Sequence, residues 1–501
     1  NITYTGPTTV NGGVLTLACP NLSGSPVTIG AGATINLSYA AGPGGNNQLT
    51  TAAAGVWSIT GTLHSTTTAA HTMPGTVNLY NGTMDGTQNC YDPFGIYYAG
   101  NTTTITGNGA NNVISLPGAN AIGLISTAPL RLNTPLATDR LTVDAVLGNK
   151  TGAGPLVKNG LGTVVLTKVN TYTGATTISN GTLEVSGAGQ LGGGSYAAFI
   201  TNNGALVIGS SANQTLSGHI SGSGTLTKTN SGTLTLTGRT NSFSGAVAVS
   251  NGVLYVDGTN TGAGAYTVYS GAYLGGTGSV STATATIYGT LTAGTTNGAG
   301  NPNIGALALE GGGRLIVDLT NMTQTAGVGW DLVAVSNGTG TITIDATDVN
   351  TFTIGVRCAT HALPGFDYLQ STQWLIISNG VFAGGMATNK FTVQPDGFAP
   401  PTFGGTFGIA TNGTEGNIWL TYTPSAAPVT TFTWDSGGSP NNYWNTGANW
   451  NGDAVPPSGY SNTLVFGSGA GIRNTNDLTG MFFGAIAFNA PAPSFVLSGN
   501  G

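Results

Sequence analysis

Charge is what this sequence has least of. Asp, Glu, Lys and Arg make up 6% of its 501 residues, against roughly 25% in ordinary soluble domains. Eleven Lys and Arg against 17 Asp and Glu leave a formal net charge of −6. No basic patch is available to hold a phosphate backbone, which argues against nucleic acid as a partner. Long apolar runs are absent too. None approaches the roughly 20 residues of a membrane-spanning helix, so no membrane insertion of this segment is expected. No basic-then-apolar leader stands at the start, and any signal peptide is expected to have been removed before Asn1. Cysteine is scarce: Cys19, Cys90 and Cys358. An odd count excludes a fully paired framework. Cys19 and Cys90 could pair in an oxidising compartment, or both could be small buried apolar residues in separate coils. Cys358 and His361 have no second pair of metal ligands nearby, so no metal site is expected.

What is abundant is glycine, with 83 residues, and a hydrophobic content of 39% spread in short alternating runs. Disorder combines low hydrophobicity with high net charge, and this chain has neither. Ser, Thr and Asn take the place of charge at the surface. One stretch organises the rest. Leu156 to Val185, LVKNGLGTVVLTKVNTYTGATTISNGTLEV, returns at Leu226 to Val256 as LTKTNSGTLTLTGRTNSFSGAVAVSNGVLYV. Lys158 falls on Lys228, Gly162 on Gly232, Gly174 on Gly245, and Asn180-Gly181 on Asn251-Gly252. Between the glycines run short strands in which apolar residues alternate with Thr, and Asn-Gly marks tight turns. A unit of about 30 residues that cannot cover its own apolar face must be covered by neighbours, which is the mark of a stacked repeat. A third, partial copy opens the chain. Tyr4 falls on Tyr172, Gly6 on Gly174, Val10 on Ile178 and Leu15 on Leu183.

The run GTLTLTG, then NTYTG, then TTISNGTLEV resembles the autotransporter-associated β-strand repeat of bacterial surface proteins. That resemblance implies an all-β chain, a right-handed parallel β-solenoid (β-helix), exported and displayed extracellularly or at the cell surface. It implies no catalytic residues. The expected organisation is a solenoid over 1–303, a β-rich closing module over 304–423 and a Pro/Ala linker over 424–430. A tryptophan-containing module is expected over 431–501. From about Ile304 the strands become longer and more hydrophobic, as a capped solenoid end requires. Coils of about 20 to 30 residues are expected. The segment from Met84 to Tyr98, dense in aromatics, reads as a protruding loop or a lateral contact. The charges Arg131, Asp139, Arg140 and Asp144 read as a solvated face.

In the resembling family the pattern built on Trp434, Asp435, Trp444, Asn449 and Trp450 opens a passenger unit. Here it stands near the end of the sequence. Reading the C-terminus into the N-terminus, SFVLSGNG then NITYTG, produces one uninterrupted repeat. The chain therefore looks circularly permuted. The expected function is a structural subunit of an extracellular fibre or surface filament, with copies of itself as head-to-tail partners. The donor side would be Trp434, Asp435, Trp444, Trp450, Phe488, Phe495 and Leu497. The acceptor side would be Ile2, Tyr4, Val10, Val14 and Leu15. The alternative is an autotransporter-type adhesin passenger, with surface polysaccharide or host matrix as its partner. The same permutation would arise if these residues are a slice of a longer tandem protein. Catalysis is not expected: Asp345 and Asp348 are three apart in a turn, and no carboxylate pair has a definite separation for glycoside chemistry. No cofactor is expected. The three clustered tryptophans read as a small core more readily than as a sugar-stacking platform.

Overall fold

A computed structural model of the chain describes residues 6–17, 26–38, 55–66, 75–86, 103–117, 122–126, 128–294, 298–336, 340–358, 360, 363–384, 387–398, 405–412, 416–425, 430–435, 443–457, 459–466, 473–478, 483–489 and 496–499. Among them there is no α-helix, and so no helix long and apolar enough to cross a membrane. The chain divides into two compact units. The first is Asn1–Ala359 with Trp374–Phe398 and Ile409–Trp419; the second is Thr360–Gln373, Ala399–Gly408 and Leu420–Gly501.

Period-two alternation builds the first unit. In Thr233–Leu236 the two leucines are buried and the two threonines half-exposed. Strands then stack in parallel and in register: Leu234 over Leu254, and Leu254 over Leu274. Each inward column is therefore a ladder of mostly apolar residues, about twenty apart here and about thirty apart in the first coils, as at Val27 and Trp57. Three faces result. The first sheet runs from Thr8–Val10 to Ile220–Ser221, and the third from Ser195–Tyr196 to Phe391–Phe398. The second begins at Gly13–Leu17, which pairs with Ala33–Leu37. The long strand Ser279–Ile287 joins two faces, pairing at Ser279 with Thr259 and at Ala285 with Tyr266. The unit is a parallel β-solenoid.

Each sequence repeat is a corner laid on the next corner. In the first copy Leu156–Asn159 pairs with Thr176–Ile178, and Thr163–Leu166 with Thr182–Gly187. In the second copy Thr225–Lys228 pairs with Val247–Val249, and Thr233–Leu236 with Val253–Val256. Yet the two copies occupy different faces. The first lies on the first and second sheets, the second on the second and third. Lys158 and Lys228 stand seventy residues apart, which is three coils and one further face.

The shared residues have local reasons. Lys158 is fully buried and its Nζ donates to the carbonyls of Asn159 at 2.6 Å, Gly160 at 2.8 Å and Asn180 at 3.2 Å. Lys228 does the same at its own turn, donating to Thr229 and to Asn230 at 2.6 Å. Burial pushes both lysines down to about 8. In the Asn-x-Tyr/Phe-x-Gly stretch, Asn170 accepts the Leu147 N–H at 3.0 Å and Asn241 accepts that of Ile220 at 2.9 Å. Tyr172 and Phe243 fill the core. A Cβ on Gly174 or on Gly245 would lie 2.1 Å from the carbonyl oxygen of the coil below, so the corner admits only glycine there.

Three expectations are corrected by the packing. Asn303–Leu309 spans the expected boundary at 303/304 and pairs with Ser279–Ile287, so the stack passes through it. The changed pattern beyond it reflects longer coils: Ile354 stands over Leu315 and Val393 over Ile354, thirty-nine residues apart. Met84 is a buried strand residue of Thr83–Gly86 rather than the start of a loop; residues 87–98 lie outside the described residues. Asp139 is not on a solvated face. It is 3% exposed and clamps a corner, accepting the N–H groups of Gly109 and Leu136, each at 2.7 Å.

The second unit is also parallel. Thr430–Trp434, Gly459–Phe466 and Phe483–Phe488 form one sheet, and Arg473–Asn476 pairs with Val496–Gly499 in another. The first of these strands begins inside the expected 424–430 linker. Separately within the unit, Tyr422 packs edge-on against Phe366, with centroids 5.1 Å apart, and its hydroxyl donates to the Tyr368 carbonyl at 3.1 Å.

Candidate functional site

The candidate sites are sheet edges at which apolar columns stop. In the second unit Trp434, Trp444, Trp450, Leu464 and Phe466 form a buried cluster, with Phe432, Leu478 and Phe483 packed against it. The rings meet edge to face: Trp434 and Trp450 have centroids 5.1 Å apart at 88°, and Trp444 and Trp450 6.2 Å apart at 82°. The Trp450 Nε1 donates to the Trp444 carbonyl at 2.9 Å, which satisfies the indole where it is buried. Asn449 is fully buried and donates to the Tyr443 carbonyl at 3.0 Å, while the Asp435 N–H donates to the Asn449 carbonyl at 2.9 Å. The tryptophans are 0–3% exposed. They are a core, and no sugar can stack on them.

The sheet above this core carries two inward columns. One runs Phe432, Leu464, Ile486; the other runs Trp434, Phe466, Phe488. Leu464 and Phe466 are fully buried, but Ile486 and Phe488 in the next strand are 45% and 46% exposed. Phe488 stacks on Phe466 with centroids 5.4 Å apart at 21°. Among the described residues, Phe483–Phe488 is paired on one side only, with Gly459–Phe466. The columns stop half in water.

The first strands of the first unit show the same feature. Val10 stands over Ile29, Leu15 over Ile35 and Leu17 over Leu37. The second member of each pair is 0–1% exposed, whereas the first is half-buried. Among the described residues, Thr8–Val10 and Gly13–Leu17 each pair on one side only.

Of the expected donor residues, the structure brings Trp434, Trp444 and Trp450 together in the core and leaves Phe488 at its open edge. Leu497 has a described backbone, in register with Asn474. Phe495 lies outside the described residues. Of the expected acceptors, Val10 and Leu15 face inward at the first coil. Val14 stands over Thr34 on the outward side and is 70% exposed. Ile2 and Tyr4, and the cysteines 19 and 90, lie outside the described residues. Cys358 is buried in Phe352–Cys358. Sequence reasoning missed Ile486 and Leu17. Both were signalled by alternation, two residues before Phe488 and two after Leu15.

The comparisons agree with this architecture. The family model of the passenger-associated-transport-repeat matches residues 2–17, 156–185 and 226–256, the same three copies that the sequence shows. A curated relative, the adhesin BmaC autotransporter of Brucella suis biovar 1 (strain 1330), is 29% identical over 195 residues. That alignment covers 35% of this chain and 5% of the relative, so the chain spans a small part of that protein's length. The chain thus carries three copies of the passenger-associated-transport-repeat, and those at 156–185 and 226–256 fold as stacked corners of a parallel β-solenoid.

Proposed function

We propose that the chain is a structural subunit of an extracellular bacterial fibre, assembled head to tail at the cell surface or beyond it. In this reading residues 431–501 of one copy complete the first coil of the next. One observation carries it: apolar columns are left half in water at both places, at Ile486 and Phe488 and at Val10, Leu15 and Leu17. Laying parallel strands on both would supply backbone hydrogen bonds along the edge and bury the columns. Covering a half-exposed aliphatic or aromatic side chain is worth about 1 kcal/mol, and five such residues cooperate with the ladder. Such a contact is heterologous, and it extends without limit when its rotation does not close. The low charge of the chain removes the like-charge repulsion that stacking would otherwise create. The role is structural rather than catalytic, and it requires no cofactor.

The relative's name favours a second reading, an adhesin passenger that binds host or matrix surfaces. Negative-stain electron microscopy of the 501-residue chain separates the two. It is imaged beside a truncation after Pro428 and beside Phe488→Asp. Fibres from the full chain, lost in both variants, support assembly through the open edge. Isolated particles from all three would overturn it and leave the adhesin reading, which retention on immobilised matrix protein would then test.

A further inference from the structure

The third sheet carries a groove on its outward side, away from the core and from both unfinished edges. It is lined by Val253, Tyr255, Tyr273, Thr292, Ile316 and Arg357 and encloses about 300 Å³. That volume is at the lower end of the range for ligand sites. Glycines make the space. Tyr255 stands over Gly275, and Ile316 over Gly355. A Cβ on Gly275 would lie 2.7 Å from the Thr292 methyl and 2.9 Å from the Tyr255 ring, so the ring leans along the stack over the glycine. Tyr273 beside it is 44% exposed. The lining residues come from five successive coils, so the groove follows the stack for ~19 Å at the strand spacing. That is the form of a site for an extended chain.

Its polar groups are fixed and balanced. Arg357 holds Asp318 through Nε at 2.5 Å and Nη2 at 2.6 Å, and Arg314 holds Asp396 at 2.8 Å. Burial pushes the nearby Asp331 carboxyl up to about 9, against the pull of two backbone N–H bonds, so it carries no charge at neutral pH. The Thr292 hydroxyl is buried without a partner, and so is the Arg314 Nε. Both atoms lie beneath the groove surface, and their unmet bonds are a cost of the packing. The site thus offers tyrosine rings, an Arg–Asp pair held in place and no net charge.

We propose that this groove binds a neutral glycan chain lying along the stack. The tyrosine rings cover the C–H faces of pyranose rings, and sugar hydroxyls, which both donate and accept, meet the Arg357 guanidinium that Asp318 holds in place. A charged polymer would gain nothing from paired ions, and it would meet a chain of net charge −6 if it were acidic.

The test is calorimetric titration of the full chain with defined hexasaccharides. The neutral probes are β-1,4-linked glucose, α-1,4-linked glucose and β-1,4-linked N-acetylglucosamine; hexagalacturonate is the charged control. At least one neutral hexamer is expected to bind. Tyr273→Ala should weaken it by roughly 2- to 10-fold, the range of one aromatic contact, and Tyr255→Ala similarly, whereas Tyr273→Phe retains it. Unchanged thermal unfolding of these surface variants separates lost binding from lost folding. Three results would overturn the proposal: no neutral hexamer binds, the tyrosine variants bind as well as the parent, or hexagalacturonate binds best. Loss of side-by-side association in the tyrosine variants, without sugar binding, would make the groove a contact between copies and also overturn it. Fibre formation by the variants is read in parallel. It tests the head-to-tail contact alone, so the two ideas fail separately.

Discussion

The stack from Leu156 to Leu309 and the cluster around Trp450 bury apolar surface by opposite means. In the stack, most inward leucines and valines lie over another apolar residue one coil away, as Leu234 lies over Leu254. Stability is then a sum of similar neighbour terms, and no one residue holds the whole. In the tryptophan cluster, five side chains meet at one place. The Trp450 indole touches Trp434, Trp444 and Phe466 at once. A repeated interface tolerates loss of one member, whereas a single cluster does not.

The sharpest way to break that comparison is Trp450→Ala. The expected loss is about 3–5 kcal/mol, confined to the second unit. Limited proteolysis should cut within residues 431–501 while the solenoid survives. Equal protection of that segment in variant and parent would show that the cluster is not its core. Next in size is Gly245→Ala, which forces a methyl to within 2.1 Å of the Gly224 carbonyl oxygen. Overpacking of this kind costs about 1–3 kcal/mol. The matched control is Gly12→Ala, which meets nothing within 4 Å and should leave the unfolding midpoint unchanged. If the two behave alike, the close approach of corners is not what demands glycine.

A smaller effect concerns pH. Lys158 and Lys228 titrate near 8 in the folded chain, below their ordinary 10.5. Below pH 8 both folded and unfolded chains carry the protons, and the cost of the buried charge is present in full. Between about 8 and 10.5 the folded chain has released protons that the unfolded chain retains, so stability rises with pH across that window. Thermal unfolding at pH 7.5 and 9.5 should show this rise in the parent. The double variant Lys158→Met, Lys228→Met should lack it. A parent whose midpoint falls over the same interval, relative to the double variant, would mean that the carbonyl cage holds the charged amine better than water does.

Much of the fold was legible because its signals are local. Alternation in GTLTL placed strands, Asn-Gly placed turns, and the agreement of Lys158 with Lys228 marked equivalent corners. The tryptophan core was legible as a pattern. What was not legible depends on distance through the stack. Asp139 reads as a surface charge until Gly109, a coil earlier, is seen to donate to it. Val14 is grouped by the sequence with Val10 and Leu15 on the acceptor side, but its register over Thr34 turns it outward. Ile316 and Arg357 line the same groove because a coil of unequal length lays their strands side by side; no fixed spacing in the sequence announces it.

The sequence by itself determined that this chain would be a stacked, low-charge, all-β repeat protein. Alternation, glycine corners and β-branched residues act over a few residues and leave few alternatives. Only the tertiary structure decided which face each repeat occupies, where the columns end half-exposed, and which outward side chains meet. Those follow from the number of residues in each coil, and the separations of stacked residues vary from about twenty to forty-four, between Val333 and Ile377. A change in coil length leaves each strand's local pattern intact while changing every neighbour it has.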